Sequence, residues 1–373
     1  MAGILGFIVA TAYWPGLLTP ATLPREMAVA IGVPLLLRVE PRLMDRRIGW
    51  LLLFGVAWAF ETALGVENMF WLLVLAVAFV AGAGLKSLDG IMTGLALGIS
   101  ISSVTCVAQL FGWQGVWQNA VPAGLFYNRE VLAELAAPVA VWAVIKGVCV
   151  KKSPHTVWKG FLTWGLVLGA SLPLVLCGER IAVIAAAVGF LYLWRRPWRD
   201  KLVVVAGIAA VGVIGSMLIL PGRGADVMIR IGLWGDAAAA ITPLGHGLGW
   251  FATNYPKSDT AHSDVLQMLA ELGAGAAFFL TIPVLCFVER RGSVYERAIL
   301  AVICVEALVS FPFELVANGF LAAVVTGYLG SRRNGIHVVA SVGRDQGLAD
   351  PRWGHVNSRG VGAGRCSGKR VSV

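Results

Sequence analysis

The run Glu67–Leu85, ENMFWLLVLAVAFVAGAGL, is followed after a single lysine by Ser87–Phe111, SLDGIMTGLALGISISSVTCVAQLF. Each is long enough to cross the hydrocarbon core of a bilayer as one helix, which takes about 17–25 predominantly apolar residues. Stretches of the same kind recur from the N-terminus to about residue 330, at about 3–19, 26–38, 48–64, 67–85, 87–111, 130–150, 157–176, 180–195, 202–220, 264–287, 296–312 and 314–331. Their number excludes one anchor joined to a soluble domain. Met1–Leu18 lacks the basic start of a secretory signal, and further spans follow it. The expectation is an all-α, polytopic transmembrane helix bundle of about twelve spans.

Composition points the same way. Hydrophobic residues make up 58% and charged residues 14% of the 373, with a mean hydropathy of +0.77; a soluble domain carries about a quarter charged residues. The net charge of +9 suggests nucleic acid only until its placement is read. The basic residues gather in Arg38–Arg47, Lys146–Lys159, Arg195–Lys201, Glu289–Arg297 and Arg332–Arg333, each after an even-numbered span. The positive-inside rule therefore places these loops, and both termini, in the cytoplasm. Cys106, Cys149, Cys177, Cys286, Cys304 and Cys366 show neither CxxC pairing nor metal-ligand spacing, and most lie inside apolar runs as small buried thiols. After about Ser331, Gly, Arg, Ser and Asn dominate without an apolar period. Residues 1–331 thus read as the transmembrane domain, and 332–373 as a disordered basic cytoplasmic tail able to touch anionic headgroups.

Two connections on the opposite side are long: about 112–129, GWQGVWQNAVPAGLFYNR, and about 221–263, between the ninth and tenth spans. Long loops among tight connections carry function or disorder. The second holds an amphipathic stretch, Asp226–Ile241, then a glycine-rich turn and several aromatics, so it is expected to be ordered. Ionisable residues at membrane depth are costly and mark function by default. They gather at the outer ends of the later spans: Glu179 and Arg180, Arg230 in the large loop, His262 at its end, then Ser263, Asp264, Gln267 and Glu271. Asp264, Gln267 and Glu271 fall at i, i+3 and i+7, one helical face, which must look into the bundle or a water-filled cavity.

Taken singly, each has a plainer reading. An arginine at a span end is commonly a headgroup anchor, a loop histidine is usually solvated, and Asp264 in a first turn complements the helix dipole. Glu61, Glu134 and Glu306, inside the third, sixth and eleventh spans, can serve as partners for polar groups within the bundle. Gly245–Gly249, GHGLG, lacks the strand–turn–helix setting of a dinucleotide loop, and no serine protease or zincin motif occurs.

Order and spacing say more. Arg230-Ile-Gly-Leu-Trp234, Pro243-Leu-Gly-His-Gly-Leu-Gly-Trp-Phe251, and Ala261-His-Ser-Asp-Val-Leu-Gln267 with Glu271-Leu-Gly273 resemble the signature of the O-antigen ligase and O-antigen polymerase superfamily, R-x-x-x-W, P-x-x-G-x-G-x-G-x-F and H-N-x-x-L-Q…E-x-G. Upstream, Gly124-Leu-Phe-Tyr-Asn128 resembles its G-x-F-x-N, and Glu179-Arg180-Ile-Ala182 stands where it has S-R-x-A. The resemblance covers about residues 120–290, in family order; earlier residues match only in hydrophobic character. Ser263 replaces the family's Asn, Glu179 replaces its Ser, and the large loop is shorter than in many relatives.

The resemblance implies a GT-C-like bundle with one larger periplasmic loop, in the bacterial inner membrane, its active site facing the periplasm. It implies transfer of a glycan from an undecaprenyl-pyrophosphate-linked donor to a hydroxyl of lipid A core, of a carrier-linked glycan or of a protein. Arg180 and Arg230 would grip the pyrophosphate, because a guanidinium stays charged and holds phosphate oxygens in pairs. His262 would be the general base, with inversion at the anomeric carbon. Asn128, Arg129, Asp264, Gln267 and Glu271 would bind substrate. The sequence offers no obvious carboxylate pair for a divalent ion near the loop, in keeping with a metal-independent reaction without cofactors. The compact loop leans towards ligase or polymerase. From other classes, a transporter or lipid flippase would use Glu61, Glu134 and Glu306 as ion sites but predicts internal repeats, which the sequence lacks. A non-catalytic envelope scaffold would leave His262 incidental.

Overall fold

The computed structural model describes residues 1–12, 22–37, 44–113, 122–126, 128–149, 157–193, 224–254, 261–310 and 316–332. Helices run α1 (Ala2–Thr11), α2 (Thr22–Leu36), α3 (Arg46–Thr62), α4 (Val66–Gly84), α5 (Asp89–Leu110), α6 (Arg129–Cys149), α7 (Val157–Leu176) and α8 (Arg180–Leu193). They continue with α9 (Gly224–Ala239), α10 (Trp250–Asn254), α11 (Asp264–Leu272), a 3-10 turn (Gly273–Gly275), α12 (Ala276–Val288), α13 (Val294–Val309) and α14 (Val316–Gly330). No strand occurs among the described residues. Three helical stretches are long and apolar enough to cross a membrane: Val66–Gly84, Asp89–Leu110 and Asp264–Val288. The expected span at 202–220 and nearly all of the tail at 332–373 lie outside the described residues.

α6 is the axis of the bundle. Every residue from Val131 to Ala143 is buried, as befits a helix enclosed all round; α7, α8 and α13 pack on it. Elsewhere small residues let backbones close. A Cβ on Gly94 would lie 1.9 Å from the Gly3 carbonyl oxygen, and one on Gly327 equally close, at 1.9 Å, to that of Phe79. Glycine is thus what seats α1 on α5 and α14 on α4, the small-residue contact that lipid-embedded helices favour where no hydrophobic drive separates them from their solvent. Large apolar side chains point outward instead, with Leu168 and Val175 71% and 73% exposed. A soluble protein would hide such a surface; lipid accepts it.

At one end a single side chain ties three segments. Arg291, only 1% exposed, donates to Asp45 Oδ2 at 2.7 Å, to Glu289 Oε2 at 2.8 Å through Nε, and to the Gly330 carbonyl at 2.7 Å. The Arg291 hydrogen bond and the charges of Arg291 and Arg47 outweigh burial and hold the Asp45 carboxyl down, at about 2. Cys106, Cys177, Cys286 and Cys304 are free thiols.

Candidate active site

The polar face expected on α11 is there, and its partners are backbone. Asp264, Gln267 and Glu271 are 3%, 7% and 3% exposed. Gln267 Oε1 accepts the Ala261 amide at 2.9 Å, and Glu271 Oε1 accepts that of Phe251 at 2.9 Å and the Gln267 side-chain amide at 3.5 Å. The Glu271 carboxylate also takes the Gly249 amide. The Asp264 amide binds the Ser310 carbonyl at 2.9 Å. This face therefore clamps the second half of the large loop, at Gly249–Phe251 and at Ala261, to the bundle. The expected long span at 264–287 is broken where that clamp ends. At Gly273, φ is +55°, the Ala274 amide turns to the Pro243 carbonyl at 2.9 Å, and Trp58 Nε1 takes the Leu272 carbonyl at 3.0 Å. An acceptor at Pro243 and a donor at Trp58, both from outside the helix, thus replace the regular ladder, and a 3-10 turn joins α11 to α12.

The glycine-rich turn fits under this face. Gly245, Gly247 and Gly249 have φ of +76°, +102° and +89°, a region closed to side chains at little cost only for glycine. Space forbids them as well: a Cβ would meet the Glu271 carbonyl oxygen at 2.2 Å, that of Thr62 at 2.5 Å, and Asn68 Nδ2 at 2.0 Å. The Gly247 amide returns to the Glu271 carbonyl at 2.8 Å, and His246 stacks on Trp250 with centroids 4.5 Å apart. The alternate glycines are thus docking surfaces for α11 and the α3–α4 connection.

His262 sits where the loop re-enters α11, in the left-handed region at φ +52°; non-glycine residues so placed are uncommon and gather at functional sites. Trp234, one turn beyond Arg230 on α9, donates its indole N–H to the His262 carbonyl at 3.0 Å. Arg230 pairs with Glu130 at 3.1 Å, both side chains under one-fifth exposed, and reaches the Val309 carbonyl at 3.5 Å. Burial, and then the Arg230 charge, push the His262 pKa below its usual 6.5, while Glu130 opposes them. Burial and Glu130 raise Glu179 to about 7, against Arg230 and Arg129. Arg129, Glu130, Glu179, Arg230 and His262 thus share one electrostatic field.

Arg180 opens α8 beside Glu179, its Nε buried without a hydrogen-bond partner among the described residues. Asn128 Oδ1 accepts the Glu130 amide at 2.9 Å and caps α6. Both departures from the resemblance fall at such caps. Ser263 accepts the Leu266 amide at 3.3 Å at the start of α11, as an Asn can, and the Glu179 carboxylate takes the Ile181 amide at the start of α8. Glu130 had no role in the sequence reading, and Glu179 stood there in the outer polar cluster and as a substitution but with no part in the site. The signal was an acidic residue directly before or after an arginine at a span end, Arg129–Glu130 and Glu179–Arg180. Among the described residues no group of three or more His, Cys, Asp or Glu side chains is placed to hold a metal ion. No protein-family model matches the chain, and no curated protein is significantly similar to it.

Proposed function

We propose that the chain is a bacterial inner-membrane glycosyltransferase of the O-antigen ligase or polymerase type. In this reading about twelve spans cross the bilayer, both termini are cytoplasmic, and the Arg230–His262 region faces the periplasm. The observation that carries it is the joining of an arginine and a histidine from separate segments. α9 brings Arg230 into the field of His262 and fixes the histidine backbone through Trp234. A cation beside a neutral imidazole is what transfer from a pyrophosphate requires.

The acceptor hydroxyl gives its proton to His262 as its oxygen bonds the anomeric carbon. The bond from that carbon to the carrier's pyrophosphate oxygen breaks with its electron pair, inverting the centre. Arg230 and Arg180 stabilise the charge that grows on the leaving group. Arg180 is suited to this by its unpartnered Nε, and Arg230 by an ion pair with Glu130 that can open towards phosphate. Burial of His262 favours the neutral, proton-accepting form. Gln267 and Glu271 position the loop and Asn128 caps α6, which leaves Arg129 and Asp264 as the residues to contact substrate.

Proteoliposomes loaded with undecaprenyl-pyrophosphate-linked oligosaccharide and separate acceptors test the reading. Wild type is expected to transfer, and His262→Ala and Arg230→Ala, folded as judged by helix content, to lose transfer. Transfer that survives both substitutions overturns the assignment.

A further inference from the structure

One helical turn along α6 from Glu130 lies a second group of acidic residues that transfer chemistry does not use. Glu134 is 1% exposed, Glu306 on α13 is 2%, Ser310 is 0% and Asn318 on α14 is 5%. Ser310 Oγ donates to Glu134 Oε1, and Asn318 Nδ2 donates to Glu134 Oε2 at 3.4 Å. Two oxygens remain. Glu306 Oε1 and Asn318 Oδ1 are buried with no hydrogen-bond partner among the described residues. Both residues line an internal cavity of about 10 Å³, bounded also by Glu134, Leu135, Pro138, Ile303 and Leu321. Pro138 has no N–H, so the Glu134 carbonyl lacks the donor a regular helix would supply.

The guest that suits this cavity is positive. Among the described residues the polar lining of the cavity is Glu134, Glu306 and Asn318, the Asn318 N–H is spent on Glu134, and two carboxyl groups in so dry a place need a compensating cation or a proton. Arg230 is already paired with Glu130. The room is that of one water-sized guest, which excludes a magnesium ion keeping its waters. Of the six oxygens on the Glu134, Glu306, Asn318 and Ser310 side chains, both of Glu134 and that of Ser310 are already engaged in hydrogen bonds, so fewer stand open than the six to eight that calcium takes. The apolar wall of Leu135, Ile303 and Leu321 leaves a small ion no water, and oxygens of Glu134, Glu306 and Asn318, with Ser310 holding Glu134 in place, would replace its hydration.

We propose that Glu134, Glu306, Ser310 and Asn318 form an intramembrane site for one dehydrated monovalent cation of sodium size. One carboxylate balances the ion, and the other carboxyl keeps a proton, so the filled site is neutral. It needs nothing from His262 or the large loop and is independent of the transferase reading.

The test is on the full-length protein in detergent, melted in sodium, potassium and choline chloride at equal ionic strength, with equilibrium binding of radioactive sodium. Wild type is expected to show a saturable rise in Tm with sodium over choline, a smaller rise with potassium, and one sodium bound per chain. Glu306→Gln is expected to fold and lose both effects, whereas His262→Ala keeps them and loses only transfer. Equal melting of wild type in sodium and choline with no sodium bound overturns the proposal, and so does sodium binding that Glu306→Gln leaves unchanged. The wild-type comparison decides the matter even if the variant does not fold.

Discussion

Trp234 gives its indole N–H to the carbonyl of His262 at 3.0 Å, although 28 positions separate them in the chain. The helix that presents Arg230 thereby sets the backbone of the histidine, whose φ of +52° needs such support. Trp234→Phe keeps the ring and removes the donor. A net hydrogen bond is worth about 1 kcal/mol, so transfer in proteoliposomes is expected to fall about fivefold with helix content unchanged. An unaltered rate would mean that this bond does not position the base.

The rate–pH profile should carry the mark of His262. Its neutral form accepts the proton, and burial with Arg230 lowers its pKa. The acid limb of transfer is therefore expected to inflect below 6.5, with full activity above. Arg230→Gln removes one lowering influence, so the residual activity should inflect higher. Glu179 titrates at about 7, so an inflection there that disappears in Glu179→Gln would assign the limb to the carboxyl instead.

The Asp45–Arg291 pair governs stability in acid. Asp45 is depressed from its ordinary 3.8 to about 2 in the folded protein. A depressed carboxyl stabilises the fold fully above its unfolded pKa and ceases to do so as pH falls through the folded one. Melting temperature should thus drop between about 4 and about 2 in wild type, and Asp45→Asn should lose that step. Arg291→Met leaves Asp45 and Glu289 with only the exposed Arg47, at 3.5 and 2.7 Å, and removes the buried partner of Asp45, so it is expected to cost up to about 3 kcal/mol, read as a fall in Tm.

Gly247→Ala meets both a φ of +102° and the Thr62 carbonyl at 2.5 Å. Strain of this kind costs about 1–3 kcal/mol. Transfer should be lost before helix content is, because the turn underlies α11 and leaves the axis at α6 untouched. A variant with wild-type transfer and Tm would show that the turn yields more easily than its packing implies.

Helices were legible because lipid demands long apolar runs, and α7 begins and ends where hydropathy placed it, at Val157–Leu176. The face of Asp264, Gln267 and Glu271 was legible from its period alone. Its partners were not, since Ala261 and Phe251 offer backbone amides that carry no trace in residue type. The break at Gly273–Gly275 was hidden for a related reason: it is set by Pro243 and Trp58 arriving from elsewhere. Glu130 was missed because its partner lies 100 positions away, and inside a hydropathy window it is merely a blemish at a span end.

The Arg291 knot also carries an order of events. Asp45 is synthesised 246 positions before the guanidinium it binds, and Gly330 follows 39 positions after. A nascent chain can pair the two charges as soon as α13 is under way, but its last acceptor arrives only with the end of α14. Closure of this end of the bundle therefore waits on α14. A chain released before Gly330 would keep the buried charge and lack that oxygen.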